Sequence, residues 1–195
     1  MSNHVLLRLM YVFVFLVPQV SLGATYYVSK NGYDGNDGSS SAPFLTIKKA
    51  ASVVKSGDIV QIREGTYVEK SITPAASGSS NNYICFQIAD NTGNVVLKHP
   101  ANSVDDKTPV FNLSNRSHIW IEGLRFKDFK YGLASIYISN GNNNVITSNI
   151  FQNLGNAEVG YWSQNQVVGI FNGCENVVTN NFFDRIVGDG VNVNS

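Results

Sequence analysis

Along residues 110–195 apolar and polar positions alternate in short runs, and the runs return. Phe111-Asn112-Leu113-Ser114-Asn115 matches Ile136-Tyr137-Ile138-Ser139-Asn140 and Val168-Gly169-Ile170-Phe171-Asn172, and a fourth copy begins at Val191-Asn192-Val193. The offsets are 25, 32 and 23 residues. A second set, Trp120-Ile121 with Phe126, Val145-Ile146 with Phe151 and Val177-Val178 with Phe183, keeps step with the first. Period-two alternation predicts strands buried on one face, and no helical period stands between them. Units this short cannot bury an apolar face alone and must stack on their neighbours. The expected fold is therefore all-β, a single-stranded parallel β-helix in which Phe111, Ile136, Val168 and Val191 form one in-register column.

The repeated asparagines sharpen the expectation. Asn115, Asn140 and Asn172 each follow a strand where the chain must turn, and asparagine tolerates the left-handed conformation there. Stacked one coil apart, at about 4.8 Å, their amides are expected to form a ladder with Asn140 as the middle rung and Asn143 off the column.

The first half of the chain reads differently. Thr25-Tyr26-Tyr27-Val28 is a predicted strand, followed by a Gly, Asp, Asn and Ser loop over 31–41. Asp34, Asn36 and Asp37 lack the distal Glu and flanking helices of an EF-hand, so a turn-rich loop is expected. Ile47, Ala50, Ala51 and Val54 fall at i, i+3, i+4 and i+7, which predicts an amphipathic helix over 46–55 with Thr46 as N-cap and Gly57 as the left-handed residue beyond its end. Asp58-Ile59-Val60-Gln61-Ile62 is the next strand, and Glu64-Gly65-Thr66-Tyr67 turns into another. One helix before a run of strands suits a solenoid, whose terminal coil needs a cover.

Residues 1–23 hold Arg8, an apolar run over 9–17, Pro18 and small residues at Ser21 and Gly23. This pattern predicts a secretory signal cleaved after Gly23, since the run is shorter than the about 20 residues that span a bilayer. Residues 24–195 then form one domain, exported to the periplasm or beyond, without a membrane span and expected as a monomer. With 14 basic and 14 acidic side chains the chain lacks the electrostatic footprint of a nucleic-acid binder. Export permits disulfides, but Cys85 and Cys174 fall about three coils apart, beyond the about 7 Å reach of a bridge, so no disulfide is expected.

Two stretches carry a family resemblance. Tyr26-Tyr27-Val28-Ser29, Asn31-Gly32, Asp37-Gly38, Ala42-Pro43-Phe44, Thr46-Ile47, Ala50, Gly57-Asp58, Val60 and Glu64-Gly65-Thr66-Tyr67 resemble the N-terminal cap and first coil of secreted bacterial right-handed parallel β-helix proteins of the pectin-lyase-like superfamily, in particular the family nine pectate lyases. The segment from Ser117 to Phe129 resembles coils of polysaccharide lyases of the chondroitinase B and alginate lyase type. The resemblance implies an acidic polysaccharide partner and β-elimination on uronic-acid polymers, with Ca²⁺ on the uronate carboxylate and a Lys or Arg taking the C5 proton.

The repeat alignment stacks Lys127, Gln152 and Asp184 in one column and Asp128, Asn153 and Arg185 in the next. Asp184, Arg185 and Asp189 are the densest charged group of the repeats, and Gly188-Asp189-Gly190 resembles a corner common in the superfamily. These three are the candidate substrate-binding residues, with a solvated charge ladder as the alternative. The acid cluster and catalytic Lys of the resembling lyases find no matching positions, and the chain ends within a predicted strand at Val193-Asn194-Ser195. The expectation is a C-terminally truncated polysaccharide lyase-like protein; a non-catalytic surface or carbohydrate-binding β-helix is the alternative.

Overall fold

The computed structural model describes residues 23–89, 94–100, 106, 108–129, 134–155 and 166–194. The signal segment predicted over residues 1–23 lies outside them except for Gly23. Three parallel sheets wind around one core. Sheet A holds β1 (Thr25–Val28), β2 (Ile59–Ile62), β4 (Ile84–Ile88), β7 (Ile119–Glu122), β10 (Val145–Thr147) and β13 (Val177–Thr179). Sheet B holds β3 (Gly65–Val68), β5 (Val95–Lys98), β8 (Arg125–Phe129), β11 (Ile150–Leu154) and β14 (Phe182–Ile186). Sheet C holds β6 (Phe111–Asn112), β9 (Ala134–Ser139), β12 (Gln166–Phe171) and β15 (Asp189–Asn194). From β4 on each coil visits A, B and C in turn, so successive strands lie in different sheets and sheet neighbours lie one repeat apart, whereas β1 and β2 are neighbours within sheet A.

The register agrees with the repeat. Phe111 pairs with Ile136, Ile136 with Val168 and Val168 with Val191, all in parallel. Trp120, Val145 and Val177 align in sheet A, and Phe126, Phe151 and Phe183 in sheet B. Alternation sends one set of these side chains inward. Val60, Phe86, Ile121 and Ile146 of sheet A, Tyr67, Leu97, Phe126 and Phe151 of sheet B, and Phe111, Ile136 and Val168 of sheet C are fully buried. The phenyl rings of Phe126, Phe151 and Phe183 stack at centroid distances of 4.9 and 5.1 Å, nearly parallel because the coil repeat places each above the last.

Helix α1 (Ile47–Ala51) covers the first coil. It is shorter than the predicted 46–55, since the turn at Ser52 ends it, yet Ile47, Ala50, Ala51 and Val54 are all buried as the stripe requires. Thr46 caps it by accepting from Lys49 N–H at 3.0 Å. Glu69, beyond β3, accepts from Ile47 and Lys48 N–H, and Asp34 accepts from the N–H groups of Leu45 and Thr46 and from the Thr46 hydroxyl. Asp34 and Asn36, whose amide donates to the Pro43 carbonyl, therefore pin the loop as the turn-rich reading expects. Gly57 takes a φ of 90°. Cys85 is half-buried and Cys174 exposed, each with a free thiol.

The asparagine ladder is real but lies elsewhere. Asn115, Asn140 and Asn172 do take left-handed φ values of 56, 53 and 49°, but all three are exposed, and among the described residues only their backbones bond to the next coil. The amide rungs are Asn144 with Asn176, at the turn into sheet A, and Asn149 with Asn181, at the turn from A to B. Asn149 Oδ1 accepts from Leu124 N–H at 3.0 Å, while its Nδ2 donates to the Ile121 carbonyl at 3.0 Å and to Asn181 Oδ1 at 3.1 Å. Asn144 makes the same pattern with Ile119, Arg116 and Asn176. The physical reason is burial: an outward-pointing amide satisfies itself with water, whereas Asn144 and Asn149, with no exposed surface, must serve orphan backbone groups of the turn.

Candidate functional site

Outward positions of sheet B lead to a charged corner. Gln152 pairs with Lys127 on one side and Asp184 on the other, as the repeat predicts. The next residues, Asp128, Asn153 and Arg185, all take left-handed φ values, which swings their side chains into a second column. There Lys98 Nζ donates to Asp128 Oδ2 at 3.2 Å, Asn153 Nδ2 to Asp128 Oδ1 at 2.7 Å, and Arg185 Nε to Asn153 Oδ1 at 2.5 Å. Gln152 donates to Asp184 Oδ2 at 2.8 Å, and the Arg185 guanidinium pairs with the same oxygen at 2.9 Å. The ladder crosses four strands. The Asn153 amide first, then Lys98, holds the Asp128 carboxyl below the usual range.

Of the three predicted substrate-binding residues, Asp184 and Arg185 come together and Asp189 does not join them. Asp189 opens β15, pairs in register with Gln166 and accepts from Asn192 Nδ2 at 3.0 Å. Asp184 and Arg185 are partners of each other and of the rungs below, which commits much of their hydrogen-bonding capacity to the solenoid. The cations with more freedom stand on β8. Arg125 is exposed and Lys127 half-buried, both face outward, and neither forms an ion pair among the described residues.

Beside this corner, Lys70 forms an ion pair with Asp106, and Thr108 donates to Asp106 Oδ1 through its hydroxyl at 2.5 Å and its N–H at 3.1 Å. His99 Nε2 meets the Thr108 carbonyl at 2.8 Å, and burial pulls its basicity down. On the outer face of sheet C, the Tyr137 and Phe171 rings lie 5.2 Å apart. Gly169 makes room for them: a Cβ there would stand 2.4 Å from Gln166 Oε1 and 3.1 Å from the Phe171 ring. Gln166 Oε1 is buried without a hydrogen-bond partner among the described residues.

Among the described residues no group of three or more His, Cys, Asp or Glu side chains converges as a metal would need. His, Cys, Asp and Glu side chains of the described residues thus do not gather into the donor set implied for Ca²⁺. No helix among the described residues is long and apolar enough to cross a membrane.

Comparison with known proteins accords with the geometry. Residues 26–189 match the family model for the Pel9A-like, right handed beta helix region. The Bacillus subtilis (strain 168) protein YwoF is 30% identical over 128 residues, covering 63% of this chain and 27% of that protein. Among solved structures, a rhamnogalacturonan lyase superposes with a TM-score of 0.57 at 17% identity, over 88% of this chain and 62% of that one. The GH136 lacto-N-biosidase of Eubacterium ramulus superposes with a TM-score of 0.67 at 13% identity, over 88% of this chain and 36% of that one. The chain thus spans about a quarter of its sequence relative and less than two thirds of either structure. Parallel strands in register around one core are what a β-helix region requires, and the chain belongs to the Pel9A-like right-handed β-helix family.

Proposed function

We propose that the chain is part of an exported protein that acts on acidic polysaccharide, with the outer face of sheet B as the contact surface. The observation that carries this reading is the pair Arg125 and Lys127, two cations on alternate outward positions of one strand with no ion pair among the described residues. Lys98 adds a third positive charge on the neighbouring strand, shared with Asp128. Family membership and the likeness to a rhamnogalacturonan lyase support a lyase-type activity for the whole protein. In such a β-elimination a base takes the proton beside the uronate carboxylate, the electrons form the C4–C5 double bond, and the glycosidic oxygen leaves. That proton becomes acidic enough only when the carboxylate charge is offset, a task that fixed cations perform in this reading.

Binding without turnover is the second reading for these coils, favoured by the absence of a converging acid cluster among the described residues. One experiment separates the two. The purified chain is titrated with pectate, alginate and chondroitin sulfate while the absorbance of unsaturated products is followed. Binding is expected, weakened about tenfold or more, roughly 1.4 kcal/mol, in Arg125→Ala/Lys127→Ala and weakened also by added salt. Product formation assigns the elimination to these coils. Binding that ignores both the double substitution and salt removes sheet B as the contact surface.

A further inference from the structure

The outer face of sheet A is unlike an ordinary solvated sheet. Its outward positions form two columns running along the solenoid axis. Ile59, Cys85, Trp120, Val145 and Val177 make one, in continuous register across five strands. Gln61, Gln87, Glu122, Thr147 and Thr179 make the other, in the same register. The core does not require the first column, because Val60, Phe86, Ile121 and Ile146 already fill the inside. All five of its members are partly or largely open to solvent, up to 46% at Val177.

At the middle of this face the aromatic side chains are held in place. Trp120 Nε1 donates to Glu122 Oε2 at 3.0 Å, which lays the indole along the strand. The Tyr83 ring stands 5.9 Å from it at an interplanar angle of 87°, and the His118 ring meets Tyr83 at 5.4 Å and 71°. Two aromatic walls at right angles, with a carboxylate at one end, form a corner rather than a smooth patch. Apolar and aromatic side chains gathered on an outer face mark interaction sites more often than chance decoration.

We propose that this face is a second, non-catalytic binding track for a linear, uncharged polysaccharide. Charge selects the occupant. The two columns carry one charged side chain, Glu122, which repels a uronate, and the rest of the polar column is amides and hydroxyls. An uncharged sugar chain offers what the columns accept: C–H faces for Trp120, Tyr83 and the aliphatic row, hydroxyls for Gln61, Gln87, Glu122 and Thr179. Thr147, 6% exposed, is the covered member of its row. Coils repeat at about 4.8 Å, close to the length of one sugar in an extended chain. A chain lying along the axis thus meets one member of each column per sugar. The track lies on a different sheet from Arg125 and Lys127, and it does not rest on the reading made there.

The test uses the full chain and two neutral glucans, hydroxyethylcellulose and xyloglucan, in affinity electrophoresis and calorimetric titration. Wild type is retarded by at least one glucan, and Trp120→Ala lowers its affinity tenfold or more. Glu122→Gln, which keeps an acceptor for the indole, lowers it less, and Tyr83→Ala provides an independent loss should Trp120→Ala fail to fold. Arg125→Ala/Lys127→Ala and added salt leave glucan binding unchanged. Absence of binding to both glucans in wild type overturns the proposal. So does unchanged binding in both Trp120→Ala and Tyr83→Ala, or a wild-type dimer in sedimentation that Trp120→Ala converts to monomer, since the face would then be covered by a second copy.

Discussion

The outer faces of sheets A and B are built on the same coils, at the same spacing, over inner columns of similar apolar character. Behind Trp120 lies Ile121 and behind Lys127 lies Phe126, both without exposed surface. Outside, the two faces diverge: sheet A presents an aliphatic and aromatic row beside amides and hydroxyls, sheet B presents Lys98, Arg125, Lys127 and a ladder of charged and amide rungs. Folding constrains the inward half of each strand, because burial there supplies the driving force, and leaves the outward half to be set by partners. A solenoid can therefore carry unlike surfaces on adjacent sheets without altering its core.

The comparison breaks first if the shared core fails. Phe126 stacks on Phe151 and meets Phe111 edge-on, so Phe126→Ala is expected to cost about 3 to 5 kcal/mol and to abolish ligand binding on both faces together. Denaturant unfolding checks it. A loss under 1 kcal/mol, or loss of one face alone, would show that the sheets do not share one cooperative core.

Next in size come the turns that aim the faces. Asn149→Ala leaves Leu124 N–H and Ile121 C=O unpaired in the interior, at roughly 1 to 3 kcal/mol each, and is expected to cost about 3 kcal/mol. The melting temperature should fall by about 6 to 12 °C. Asn140→Ala removes only tolerance of the left-handed backbone and should cost about 1 kcal/mol, which Asn140→Gly restores. Glycine cannot rescue Asn149, whose contribution is its amide. Equal melting shifts at the two positions would contradict this division of roles.

Acid should act on the sheet B side. Hydrogen bonds from Lys70 and then Thr108 hold the Asp106 carboxyl well below the usual carboxylate range, and Asn153 followed by Lys98 lowers Asp128. A carboxyl depressed in the folded state contributes its full stability above its unfolded value, about 3.9, and loses it as pH falls through the folded value. Melting from pH 6 to pH 2 should therefore show Asp106→Asn less stable than wild type at pH 6, with the gap unchanged down to about pH 4 and narrowing below it. A gap that is constant with pH would remove the ion pair as its source.

Smallest of all is the effect of the outer cations on the fold. Arg125→Ala/Lys127→Ala should change stability by no more than about 0.5 kcal/mol. A larger loss would make these side chains structural and weaken their reading as a ligand surface.

The sequence alone determined the architecture, because period-two alternation and a repeat of 23 to 32 residues leave few ways to bury an apolar face. Phe111, Ile136, Val168 and Val191, and likewise Lys127, Gln152 and Asp184, met in the register that the alignment set. The capping helix was legible for the same reason, since Ile47, Ala50, Ala51 and Val54 carry its stripe. The working asparagines had a signal too, for Asn144 and Asn149 recur 32 residues on as Asn176 and Asn181. What the sequence could not rank was which column of asparagines lies inside a turn, because exposed and buried corners have the same composition and only the coil's cross-section decides burial. It also could not show that Asp189 stands apart from Asp184 and Arg185, since β14 and β15 belong to different sheets and proximity in the chain there means separation around the corner. Nor could it gather Tyr83, His118 and Trp120, which come from two coils and meet only when one is stacked on the other.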